Sequence, residues 1–174
     1  MATGNTLVVF NPASNVPPAT AYATLDTFVS SDSPVQNYMV LDFDSAATEY
    51  ADFSFVVPSH YGASALLDVF INWSCDTAGG TDGVVWAVQF KSVTDDGDDL
   101  DTKTFGTAQV FAESLPASAA GEVQQASKTG ITFAAAQSPL AGELLFVRLY
   151  RDHDAGDDTL ANDAEFHSME IREA

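Results

Sequence analysis

Apolar and polar residues alternate along most of the chain with a repeat of two, the signature of strands whose successive side chains point to opposite faces. In residues 49–57, Ala51, Phe53, Phe55 and Val57 share one face and Tyr50, Asp52, Ser54 and Val56 the other, and Pro58 ends the run. Leu67, Val69, Ile71 and Trp73 repeat the arrangement, and after a Gly-rich turn so do Val84, Trp86, Val88 and Phe90. Further strands are expected over 35–43, 107–114, 123–133, 144–151 and 165–172, about eight in all, separated by turn signals at sandwich spacing. No long stretch has helical apolar spacing, although the Ala-rich pieces 117–120 and 134–136 suit a single turn of helix.

Half-polar alternation belongs to antiparallel sheets with one wet face, not to a parallel sheet covered on both sides. The expected fold is therefore all-β, an antiparallel β-sandwich of jelly-roll type. Residues 1–34 differ, because they hold Pro12, Pro17, Pro18 and Pro34 among small polar residues. They are expected to form an extended N-terminal arm ahead of a sandwich domain at 35–174, with short strands possible at 7–10 and 25–29. Leu7, Val8, Val9, Phe10, Pro17, Pro18 and Tyr22 are the arm residues available for docking on a partner.

Six Lys and Arg stand against 25 Asp and Glu, a formal charge of −19, which disfavours nucleic acid and anionic membranes as partners. With 46% hydrophobic residues the chain nevertheless has the apolar content of a globular domain. Cys75 is the single cysteine, so no intrachain disulfide or cysteine-rich zinc site is possible. The N-terminal sequence has neither the basic start nor the apolar stretch of a secretion signal.

The acidic residues gather in two loops: Asp95, Asp96, Asp98, Asp99 and Asp101 around Gly97, and Asp152, Asp154, Asp157 and Asp158 around His153 and Gly156. Clustered carboxylates on a kinked loop can ligate Ca²⁺, but neither loop has EF-hand spacing, and the ordinary reading is a solvated acidic turn. No cofactor is expected. His60, His153 and His167 are too scattered for a metal site, and no Gly-x-Ser-x-Gly elbow or phosphate-binding loop occurs, so no catalytic residue is nominated.

Trp73 and Trp86 lie in phase with the apolar rows and are read as core, leaving Tyr22, Tyr38, Tyr50 and Tyr61 as the tyrosines able to offer a flat surface to a ligand. Arg148 and Arg151 fall on opposite faces of one strand, with Arg151 on the apolar side and the acidic loop at Asp152 its obvious partner.

The order of segments, from Leu41-Asp-Phe-Asp44 through Val57-Pro-Ser-His-Tyr-Gly62 to Arg148-Leu-Tyr-Arg-Asp152 and its Asp-rich loop, resembles a β-sandwich domain of virion structural proteins of tailed bacteriophages. The resemblance covers roughly residues 24–173. It implies a non-enzymatic capsid decoration or cement protein on the outer surface of a phage head, bound to the major capsid protein and assembled as a homotrimer. A tail-associated receptor- or carbohydrate-binding module is the alternative.

Overall fold

A computed structural model describes residues 4–62, 66–76, 82–114 and 120–174. It contains ten strands among the described residues: β1 (Thr6–Phe10), β2 (Thr24–Val29), β3 (Asn37–Phe43), β4 (Tyr50–Val56), β5 (Leu67–Ser74), β6 (Gly83–Val93), β7 (Gln109–Ser114), β8 (Gln124–Ile131), β9 (Leu144–Arg151) and β10 (Ala164–Glu173). The all-β antiparallel sandwich expected from the alternation is the observed fold. Of the two Ala-rich pieces, 134–136 adjoins a short 3-10 turn at Ala135–Gln137, whereas 117–119 and most of the Gly-rich turn before β6 lie outside the described residues.

The larger sheet has six strands in the order β2-β3-β10-β5-β8, with β1 also paired to β10. Strand β10 meets β3 through Ala164–Phe166 and β1 through Met169–Arg172, so the two share one of its edges while β5 takes the other. A register shift between Phe166 and Ser168 lets Phe166 and Met169, three positions apart, both face inward. The smaller sheet has four strands in the order β4-β9-β6-β7.

Between the sheets, the inward rows predicted by parity meet in one core: Leu67, Val69, Ile71 and Trp73 against Val84, Trp86, Val88, Leu145, Val147 and Leu149, all fully buried. Trp73 and Trp86 pack edge to face at 6.1 Å, and Phe43 meets Trp86 at 5.2 Å, which confirms both tryptophans as core residues.

Within the N-terminal segment of residues 1–34, the two short strands expected at 7–10 and 25–29 form as β1 and β2. Strand β1 adds to β10, β2 adds to β3, and Phe10 turns into the core, stacked on Phe53 at 4.9 Å. Leu7 and Val8 also pack against the core. Residues 15–23 run beside the edge of β4, with the Val16 amide donating to Asp52 O at 2.8 Å and the Tyr50 amide to Ala21 O at 2.8 Å. The physical reason is backbone satisfaction, since this segment closes an edge that would otherwise present unpaired amides. The prolines punctuate short strands rather than keep the chain extended. Of the seven residues expected to dock on a partner, Val9, Pro17 and Tyr22 are exposed, while Leu7, Val8 and Pro18 are half-buried and Phe10 is buried.

Arg151 ends β9 on its inward face, fully buried. Its Nη2 donates to Asp158 Oδ1 at 2.6 Å and to Leu160 O, and its Nη1 donates to Asn162 O at 2.7 Å. Asp158 in turn accepts the Val85 amide at 2.9 Å. The acidic loop after β9 is thereby folded back across the start of β6, where Gly83 allows Asp157 O to approach within 2.5 Å of where a Cβ would stand. The pairing expected of Arg151 with this loop is therefore present. Removing one partner strands the other charge in a dry environment, so Asp158→Ala is predicted to cost about 3–5 kcal/mol and lower the melting temperature by roughly 10 °C. Thermal unfolding followed by circular dichroism measures this; a melting point within a degree or two of wild type would refute the role given to the pair.

Candidate functional site

The outward residues of the smaller sheet form rows fixed by strand register. Tyr50 lies opposite Tyr150, which lies opposite Ala87; Asp52, Arg148 and Gln89 make the next row; Ser54, Phe146 and Lys91 the third. Cross-strand neighbours stand about 5 Å apart, and the four-residue interval from Tyr150 to Phe146 covers roughly 13 Å. Inward Leu145, Val147, Leu149 and Arg151 force Phe146, Arg148 and Tyr150 outward, because a strand cannot turn consecutive side chains the same way.

Polar and aromatic groups interlock on this face. Arg148 grips Asp52 with two parallel hydrogen bonds, Nε to Oδ1 and Nη2 to Oδ2, each 2.7 Å. The bonded Asp52 carboxylate holds the guanidinium's pKa above its ordinary value. Its plane lies 4.3 Å from the ring centre of Phe105 and 5.1 Å from that of Tyr50. Tyr50 and Tyr150 contact each other at 5.3 Å, and the backbone at Tyr22 forms an isolated parallel bridge with that at Tyr50. Both charged side chains stay within reach of solvent, Arg148 being 26% and Asp52 18% exposed.

Phe105 reaches the face from the loop after β6. The Gly106 amide donates to Phe90 O at 2.9 Å and Gly106 O accepts from Gln89 Nε2 at 3.0 Å. A Cβ at Gly106 would lie 3.1 Å from Gln137 Cγ in the 3-10 turn and 3.4 Å from Phe90 O of β6, so glycine eases the packing of the loop between the two.

The sequence-predicted groups are distributed as follows. Tyr50 lies on the aromatic face and Tyr22 is exposed beside Pro17 and Leu25, but Tyr38 projects from β3 in the other sheet, 44% exposed beside Phe28. Tyr61 is not a platform: it is 5% exposed, and burial followed by the charge of Glu173 pushes its hydroxyl up to about 12. The parity of Phe146 and Tyr150 with Arg148 was readable in the sequence. Phe105 was not, since it lies in no strand and arrives only because the loop folds back.

Neither acidic loop assembles a metal site, and among the described residues no group of three or more His, Cys, Asp or Glu is placed to hold one. Asp98 instead binds Lys103 Nζ at 2.5 Å, which holds its carboxyl below the ordinary range, and Asp99 caps the Asp101 amide at 2.9 Å. Asp95 and Asp96 point to solvent. In the second loop Asp158 is buried on Arg151, Asp154 is 86% exposed beside His153, Asp152 is half-buried and Asp157 is exposed.

His60 is exposed, whereas His153 Nδ1 lies 2.9 Å from Thr48 Oγ1. His167, expected at a rim, is half-buried on β10 with Nε2 2.8 Å from Ser74 Oγ; burial lowers its pKa. Ser74 donates to Glu165 Oε2 at 2.5 Å and is 1% exposed.

A separate acidic cleft, about 410 Å³, opens on the larger sheet between Asp26, Asp42, Asp76, Asp163 and Glu165. Asp42 stands directly opposite Glu165 across the strand pair, and burial first, then the charges of Asp26, Glu165 and Asp163, push its carboxyl up to about 7. Because the folded state holds this proton more tightly than the unfolded chain, the contribution of Asp42 to stability is full at low pH and is lost as pH rises from about 4 to about 7. Asp42→Asn is predicted to melt higher than wild type above pH 7 and equally near pH 4. Parallel melting curves at the two pH values check this, and an equal or lower variant melting point at pH 8 would contradict it.

No protein-family model matches the chain, and no curated protein matches it in sequence. Among solved structures it is similar to a family 11 carbohydrate-binding module from Clostridium thermocellum in complex with a β-1,3-1,4-mixed-linked tetrasaccharide. Identity there is 10% and the TM-score 0.44, over 100% of this chain and 98% of that one. It is also similar to the CBM22-1 xylan-binding domain of Paenibacillus barcinonensis Xyn10C, at 11% identity and TM-score 0.41 over 99% and 97% of the two chains. A third is a Clostridium thermocellum xylanase structure of CBM22-1 and GH10 modules complexed with xylohexaose, at 13% identity and TM-score 0.48. This chain is covered whole there but spans 29% of that chain's length. None of these three structures is of a virion protein, and the capsid decoration reading expected from the sequence is withdrawn.

Proposed function

We propose that this chain is a non-catalytic carbohydrate-binding module that holds a glycan on the outward face of the smaller sheet. The observation that carries the reading is the continuous surface of Tyr50, Tyr150, Phe105 and Phe146 threaded by the Arg148–Asp52 pair and Gln89. Sugars present alternating C–H faces and hydroxyl edges. Aromatic rings take the first by burying apolar area, and fixed polar groups take the second through hydrogen bonds, which is the division of labour this face offers.

The polar groups are pre-organised, which lowers the entropy lost on binding. Asp52 and Arg148 hold each other in place, with Asp52 also anchored through its own backbone to Asn15 and Val16. A roughly 13 Å run of outward side chains suits an oligosaccharide better than a single sugar. An open face of this kind accommodates the middle of a chain as well as its end.

The test is retention on a panel of polysaccharides in affinity gels, followed by calorimetry with the oligosaccharide of the retained polymer. Tyr150→Ala is expected to weaken binding about tenfold, the value of one buried aromatic contact with its hydrogen bond. Tyr38→Ala, on the other sheet, is expected to leave affinity unchanged, and the retained glycan to emerge unshortened. Loss of binding in Tyr38→Ala with none in Tyr150→Ala would place the ligand elsewhere.

A further inference from the structure

The six cations are unevenly satisfied. Four form ion pairs: Lys103 with Asp98, Arg148 with Asp52, Arg151 with Asp158 and Arg172 with Glu170. Lys128 Nζ donates to Val110 O at 3.2 Å. Lys91 differs from all of these. Its Nζ lies 4.7 Å from the ring centre of Phe146 and 5.2 Å from that of Phe105, and no described carboxylate pairs with it.

In a chain with 25 acidic residues, an ammonium that meets aromatic faces and no acid is an exception with a position. It sits in the row beside Phe146, two residues along β6 from Gln89, on the proposed glycan face. Arg148 and Asp52 cancel each other there, so Lys91 is the uncompensated charge of the surface. The rings orient the ammonium but accept no conventional hydrogen bond, leaving its N–H donors open to a ligand anion.

Resting on that reading of the face, we infer that the ligand is a largely neutral glycan bearing an isolated acidic sugar, whose carboxylate pairs with Lys91 between Phe105 and Phe146. The spacing of acidic groups on the ligand follows from the charge of the whole molecule. Screening confines the favourable field of one lysine to about 8 Å at physiological salt. Beyond it, the −19 of the protein meets the polymer, so an acid on every residue is repelled while a single one is held.

Calorimetry with three probes decides the matter: a linear β-1,4-xylo-oligosaccharide, the same oligosaccharide carrying one glucuronate branch, and an oligogalacturonate. The singly acidic probe is expected to bind about fivefold tighter than the neutral one, the ordinary value of one exposed ion pair. That advantage should shrink in high salt, disappear in Lys91→Met and persist in Lys91→Arg. The oligogalacturonate should bind no better than the neutral probe. Equal affinity of the neutral and singly acidic probes, or an advantage that survives Lys91→Met, would overturn the inference while leaving the glycan face standing. Tightest binding of the oligogalacturonate would overturn it too. Failure of all three probes overturns it for these backbones, and only failure of the whole polysaccharide panel removes the glycan face itself. Unchanged melting of Lys91→Met separates lost recognition from lost folding.

Discussion

The buried pair of Arg151 and Asp158 is the constraint on which the arrangement depends. A guanidinium with no exposed surface has to find partners for its donors, and it finds them in Asp158 and in carbonyls of Leu160 and Asn162. That requirement admits one register for β9, because a slip of one residue would carry Arg151 out to solvent and Tyr150 into the core. The same parity that buries Arg151 therefore sets Phe146, Arg148 and Tyr150 on the outer face. Core electrostatics and surface recognition are two sides of one strand.

The remaining polar contacts divide between building loops and building a surface. Lys103 and Asp98 close a turn, and Gly83 and Gly106 allow loops to lie close to β6. Arg148 and Asp52 sit at the surface, still reached by solvent. Such a pair adds little to stability, and its fixed geometry is better suited to meeting a ligand's hydroxyl groups. The formal charge of −19 bears on association with charged ligands and does not specify a fold.

Much of the fold was legible because alternation reports directly which side of a strand meets the core. The rows through Trp73, Trp86 and Leu149 needed nothing beyond parity. The two N-terminal strands were legible, but prolines and small polar residues say that a chain is irregular, not where its backbone finds partners. Strand β1 is completed by β10, far away in sequence, β2 by the next strand β3, and Phe10 is buried by Phe53. The site was half visible: Tyr50 and Arg148 could be assigned to a surface, but the meeting of β4, β9 and the Phe105 loop is a product of topology. Clustered aspartates drew attention to loops where the carboxylates answer local cations and amides instead of converging.

Amide and side-chain chemical shifts recorded while an oligosaccharide of the retained polymer is titrated in test the recognition surface most directly. Shifts should gather on Tyr50, Gln89, Phe105, Phe146, Arg148 and Tyr150, with β2, β3 and β10 unmoved. Shifts gathered instead around the acidic cleft of Asp42 and Glu165, or on the β2–β3 hairpin, would contradict the assignment of the smaller sheet's outer face as the place where ligand is held.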